Sequence, residues 1–101
     1  MENNEYILLE NICTHYNIDI SLMDTLHGMG LINLTFVDER KYLHHEDLMA
    51  TEKMIRLHDE LGINPEGIDV IVNLLQQLDE VRRELEITKK KLDVFVSGID
   101  F

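Results

Sequence analysis

The 101-residue sequence predicts a mainly α-helical fold, in which a helix-turn-helix, a small two-stranded wing and a third helix precede one long helix of the coiled-coil type. Three observations carry the prediction. Apolar residues return at alternating intervals of three and four along Ile71, Leu74, Leu78, Val81, Leu85, Leu92 and Phe95, interrupted only by Thr88; such a heptad seam lines up only on a helix. Glycines at Gly28, Gly30 and Gly62 punctuate the part before it. Two short apolar segments flank the polar connection Asp38-Glu39-Arg40, which reads as a pair of strands.

Taken in order, Leu8, Leu9, Ile12 and Tyr16 share one helical face and predict a first helix from Glu5 to Tyr16, ending near Asn17. Asp19 is placed as a fresh N-cap for a second helix carrying Ile20, Met23 and Leu26 inward, and Gly28-Met29-Gly30 breaks it. Two short helices joined by a tight turn are a helix-turn-helix outline. Strands are expected at Leu31 to Leu34 and Lys41 to Leu43. A third helix begins near Glu46 and runs to Leu61, with Leu48, Ile55 and Leu61 on its inner face, and Gly62 stops it.

The long helix has a marked start. Asn64 caps the first free amides, Pro65 fits the first helical position and Glu66 sits at the positive end of the dipole; Gly98 is the expected stop. A helix of about 30 residues runs on the order of 45 Å, longer than a domain of this size covers, so its seam calls for a partner. The seam could close on a second copy as an antiparallel coiled coil or lie against another protein; self-pairing is favoured because homodimers are the commonest solution for such a surface. The Gly62 to Asn64 joint is too short to separate domains. The chain is therefore read as one domain, with a winged-helix-like part over residues 5–63 and a pairing helix over residues 64–97.

Nine basic against twenty acidic side chains give a formal charge of -11. Residues 1–45 hold seven acids and two bases and residues 46–101 thirteen and seven, so the acidic excess is spread over both parts and no basic arm or patch is expected. A phosphate-rich partner is repelled at long range and a basic protein surface attracted. The acidic start Met1-Glu2-Asn3-Asn4-Glu5 is unlike a secretory signal, no apolar run approaches the roughly 18 residues of a membrane span, and the single Cys13 makes no internal disulfide. A cytoplasmic, soluble protein is expected.

No catalytic constellation emerges. Cys13 and His15 lie two positions apart and point about 200° away from each other on a helix, so Cys13 is expected as a small core residue. Gly28-x-Gly30 is too sparse to cradle a phosphate. His44-His45-Glu46-Asp47 gathers imidazoles and carboxylates, yet adjacent residues rarely chelate one ion, and a solvated junction is expected there. His58 falls near an inner face and reads as a hydrogen-bonded structural histidine. Met23, Met29, Met49 and Met54 are expected as core filler, and Glu86–Lys90 and Asp79–Arg83 as exposed pairs four residues apart. The acids Asp59, Glu60, Glu66 and Asp69 straddle the joint between the third and the long helix and are the best candidates for meeting a basic partner. No cofactor and no metal are expected.

Specific runs of residues then resemble a known family. Cys13-x-His15 followed by Ile18-Asp19, the Gly28-Met29-Gly30-Leu31 turn, Tyr42, the run from Arg56 through Leu57-His58-Asp59-Glu60 to Asn64, then Gly67-Ile68 and Asn73-Leu74-Leu75 resemble the chaperone modulator CbpM family within the MerR superfamily. The match runs without gaps from about Leu9 to Phe95. The resemblance implies a MerR-like winged helix and a non-enzymatic modulator of a DnaJ-type co-chaperone, CbpA, bound through the basic helix of its J-domain in competition with Hsp70. DNA-binding MerR relatives place arginines and paired aromatics on the second helix and arginines in the wing. Here that helix reads Ile20-Ser21-Leu22-Met23-Asp24-Thr25-Leu26-His27, and Arg40 and Lys41 are the only wing cations. A nucleic-acid reader offers roughly six to ten phosphate contacts, so a MerR-type DNA-binding transcriptional regulator is the second reading and DNA the less favoured partner.

Overall fold

A computed structural model describes residues 5–99. A short strand β1 (Tyr6–Leu8) leads into helices α1 (Leu9–Tyr16) and α2 (Ile20–Gly28). Strands β2 (Leu34–Val37) and β3 (Arg40–His44) follow, then a single 3-10 turn at His45–Asp47, helix α3 (Leu48–Asp59) and helix α4 (Pro65–Ile99). The chain divides into two compact units, one ending at Asp69 and the other starting at Val70.

Helix α1 ends because Asn17 turns left-handed at φ 55°, which lets the Ile18 amide reach the Cys13 carbonyl and the Asn17 amide reach Thr14. Helix α2 ends by the same device on Gly30, at φ +78°, where Leu31 bonds back to Leu26 and Gly30 to His27. Only glycine adopts that backbone without steric penalty, so the expected stop falls where the sequence put it. Asp19 occupies the N-cap position of α2, but its carboxylate makes no capping hydrogen bond.

Three expectations need correction here. The sheet has three antiparallel strands in the order β1-β3-β2 rather than two, because residues 6–8, read as helix, pair with His44, Leu43 and Tyr42. Ile7-Leu8-Leu9 is a short apolar run that periodicity cannot assign, and β3 decides it. The second strand starts at Leu34, where Leu31–Leu34 was expected, since Gly30 and Leu31 are spent on the helix stop. Ile20 is 41% exposed: the buried stripe of α2 is Leu22, Met23 and Leu26, and at 100° per residue Ile20 stands about 115° from its centre.

The core of the first unit gathers Leu9, Ile12, Met23, Leu26, Ile32, Leu43, Met54, Ile55 and Ile68. Leu61 does not join it, being 68% exposed, because α3 stops at Asp59 and the helical repeat no longer applies. Met49 is likewise 72% exposed rather than core filler. Thr51, a polar residue, is fully buried and satisfies its hydroxyl on the Asp47 carbonyl at 2.8 Å. The Tyr16 phenol donates to the Glu52 carboxylate and ties α1 to α3, and that hydrogen bond raises the phenol's pKa.

Strands β2 and β3 turn over on Asp38 and Glu39, both at positive φ (50° and 65°), between the paired Val37 and Arg40. This two-residue hairpin matches the twist of the strands but normally takes Asn-Gly. Glu39 has a side chain where glycine is preferred, so Glu39→Gly is expected to raise stability by about 1 kcal/mol, read as a higher urea midpoint at unchanged slope.

Helix α4 starts as expected. The Asn64 side chain accepts the Gly67 amide at 2.7 Å, a cap on the third helical position. Gly67 is required by contact rather than by angle, since a Cβ there would stand 2.8 Å from the Ile63 side chain and 3.2 Å from the capping oxygen. The expected stop at Gly98 is overrun, as the helix continues to Ile99. Among the described residues, no helix is long and apolar enough to cross a membrane.

Candidate functional site

The acids singled out in the sequence lie at the end of α3 and the start of α4. Asp59, Glu60 and Glu66 are exposed, whereas Asp69 is half-buried. Their helical positions differ in meaning. Glu66 lies in the first turn of α4, where the dipole favours an acid. Asp59 and Glu60 close α3, where the dipole disfavours one by a few tenths of a kcal/mol. Stability alone therefore explains Glu66 but not the other two. Beneath them the part-buried His58 donates its Nδ1–H to the Ile63 carbonyl at 3.1 Å, which makes it the structural histidine expected.

The structure does not gather the four acids into one pocket. A polar cleft of about 380 Å³ takes Asp59 and His58 from α3 together with Asn17, Asp19, Ser21 and Thr25 from the α1–α2 turn and α2, while Glu60, Glu66 and Asp69 do not line it. Asp19 is thus a neighbour of Asp59 that sequence reasoning treated only as a cap. No local signal pairs residues forty positions apart; the α2–α3 packing does.

Lys41 on β3 reaches Asp24 on α2 at 2.7 Å and stands 5.7 Å from the centre of the Phe36 ring, so half of the hairpin's positive charge is engaged within the fold. His27 lies beside the same ring at 6.1 Å. Phe36 itself is 60% exposed.

Other chemistry has a structural explanation. Cys13 is buried, and burial first, then the charges of Asp24, Asp19 and Glu10, pushes its thiol pKa up. A thiol held protonated is a poor nucleophile. Modification by a thiol reagent at neutral pH is expected to be at least about tenfold slower in the folded chain than in urea, followed by absorbance; equal rates would place the sulfur at the surface. His44 accepts the Glu46 amide through Nδ1 at 3.1 Å and so caps the 3-10 turn, with Tyr6 edge-on at 5.0 Å and His45 stacked at 5.2 Å. The junction read as solvated is in part an internal cap. Among the described residues, no three His, Cys, Asp or Glu side chains come together as a metal site.

In the second unit the seam residues are uncovered. Leu74, Leu78, Val81, Leu85, Leu92 and Phe95 are between 49% and 65% exposed, and Ile71 is half-buried. The expected pair Asp79–Arg83 forms at 2.7 Å.

The chain thus runs through a short strand, a helix-turn-helix, the other two strands of a three-stranded sheet and two further helices, the last of them long. The chain belongs to the MerR HTH family of regulatory proteins, whose model it matches over residues 7–90. Within that relationship it resembles the CbpM proteins. It is 20% identical over 90 residues to the chaperone modulatory protein CbpM of Escherichia coli O1:K1, covering 88% of this chain and 89% of that one. It is 24% identical over 91 residues to the chaperone modulatory protein CbpM of Salmonella paratyphi B, with the same coverage. No solved structure matches the chain.

Proposed function

We propose that this protein is a non-enzymatic modulator of a DnaJ/CbpA-type co-chaperone, which it restrains by covering the basic face of the J-domain and so competing with Hsp70. The observation that carries the reading is the sign of the charge. Residues 1–69 hold fourteen acids and four bases on a helix-turn-helix scaffold, and one of the hairpin's two cations is already paired with Asp24. Asp59, Glu60, Glu66 and Asp69 are the proposed contact residues. The placement of Asp59 and Glu60 against the α3 dipole supports a role outside folding for those two.

The seam of α4 supports a homodimer. The proposed pairing is an antiparallel coiled coil, in which residues 65–81, with Glu66, Asp69, Asp79 and Glu80 and no base, run beside residues 82–91, where Arg82, Arg83, Lys89, Lys90 and Lys91 outnumber Glu84 and Glu86. Antiparallel copies bring these halves side by side, and parallel copies would stack like on like. We read the hairpin of β2 and β3 as the wing.

Membership of the MerR HTH family favours a second reading, a DNA-binding transcriptional regulator. Two titrations separate the readings. Calorimetry of the full chain against a purified J-domain is expected to show a complex that weakens with salt, and a gel shift with random duplex DNA at physiological salt is expected to show no retardation. Absence of the first together with tight DNA binding would replace the co-chaperone reading by the regulator.

A further inference from the structure

We propose that the outward face of α2 together with the β2–β3 hairpin is itself a protein-docking surface, anchored on Ile20 and Phe36 and shaped for a cationic protein surface that also presents apolar side chains. The inference rests on the co-chaperone reading and names the part of this chain that would supply affinity.

In a helix-turn-helix the second helix is the element that enters the groove of DNA. Here the corresponding face holds Ser21, Asp24 and Thr25, all exposed, and an isoleucine 41% exposed. Beside it on the hairpin stand Phe36, 60% exposed, and Val37, 48% exposed. Ile20 and Phe36 thus stand exposed in a unit whose other large apolar side chains, apart from Val37, Met49 and Leu61, are buried or half-buried; Val37, next along the strand, points to the other face of the sheet.

Contacts across the fold join these residues into one surface. Lys41 links Asp24 to the Phe36 ring, and the His27 ring lies beside that ring with centroids 6.1 Å apart. The aromatic is thereby held in place, which lowers the entropy lost when a partner covers it. A small cleft of about 120 Å³ places Ile20 beside Glu10 of α1 and Glu39, Arg40 and Lys41 of the hairpin. On the opposite flank of α2, the larger cleft holds Asp19 and Asp59.

The charges select the occupant. Five carboxylates, Glu10, Asp19, Asp24, Glu39 and Asp59, border the face against two cations, Arg40 and Lys41, and Lys41 is paired with Asp24. An anionic groove with exposed apolar anchors repels phosphates and suits a basic polypeptide. Carboxylates on a rim set encounter rate and orientation, whereas affinity concentrates on a few buried aromatic or aliphatic anchors. The four acids at the α3–α4 joint supply the first kind of contact only. Ile20 and Phe36 supply the second.

The test titrates a purified J-domain into the full-length chain, comparing wild type with Ile20→Glu, Phe36→Ala and the pair, each checked for an unchanged thermal unfolding profile. Amide shifts of Ser21, Asp24 and Phe36 in wild type provide a readout that needs no variant. The expected result is a loss of at least about tenfold in affinity for the pair, with shift changes centred on those amides. If wild type binds but the variants bind within twofold and the shifts move elsewhere, the docking face is wrong and the co-chaperone reading stands. Should wild type itself leave the J-domain unbound, that reading falls and takes this inference with it.

Discussion

On the proposed self-pairing of α4, replacing Leu78 and Leu85 together by aspartate is expected to leave a monomer at micromolar concentration. Both leucines lie at mid-seam on α4, 49% and 56% exposed. Covering such a half-exposed side chain contributes about 1 kcal/mol, and two copies bury four of them. About 4 kcal/mol is about a thousandfold in the dissociation constant; carboxylates left unpaired in the seam add to the loss. Sedimentation equilibrium reads the change. Thr88→Leu, at the one polar seam position, is expected to act in the opposite direction, tightening association by about thirtyfold if each copy gains about 1 kcal/mol. A wild-type chain that sediments as a monomer at these concentrations would remove self-pairing and leave the seam to another protein.

The second large effect concerns the acids at the joint. Asp59→Lys with Glu60→Lys is expected to weaken J-domain binding by about thirtyfold at low salt, taking roughly 1 kcal/mol for each reversal in a partly screened setting. Both side chains are exposed, so the difference should shrink as salt shortens the screening length from about 10 Å at 0.1 M. Folding should not suffer, because cations at the end of α3 suit the helix dipole. Affinity unchanged at every salt concentration would show that the acidic contact lies elsewhere. A loss that persists undiminished at high salt would mean that the substitutions act through packing rather than charge.

The two predictions address different faces and are separable. Seam variants leave every residue of the first unit as it was, whereas the lysine pair leaves the seam intact. A J-domain that binds the monomeric seam variant with unaltered affinity per chain would show that pairing serves something other than the chaperone contact.

How much of this was legible beforehand depends on the range of the interaction involved. The start of α4 is written within four residues, Asn64 to Gly67, because a cap is a contact between near neighbours. The stop of α2 at Gly30 is local in the same way. The seam was equally plain, since heptad spacing is a property of one helix. The role of His58 followed from its position near an inner face and is met by a carbonyl five residues on.

What failed to show did so for a single reason. β1 exists because residues 6–8 find β3 nearly forty positions later, and a three-residue run has no periodicity of its own. Ile20 faces out, and Leu61 and Met49 with it, because burial depends on which side of a helix meets the sheet and on where the helix ends. Asp19 joins Asp59 in one cleft, and Lys41 is taken by Asp24 beneath Phe36, through the packing of α2 on its neighbours.

By itself, then, the sequence determined the helices that carry their own caps and repeats, the sign of the charge and the membership of a regulatory family. Only the tertiary structure decided which apolar and acidic side chains share a surface. Caps and repeats are satisfied within a few residues along the chain, whereas a shared surface requires distant segments to be brought together, and no local pattern records that meeting.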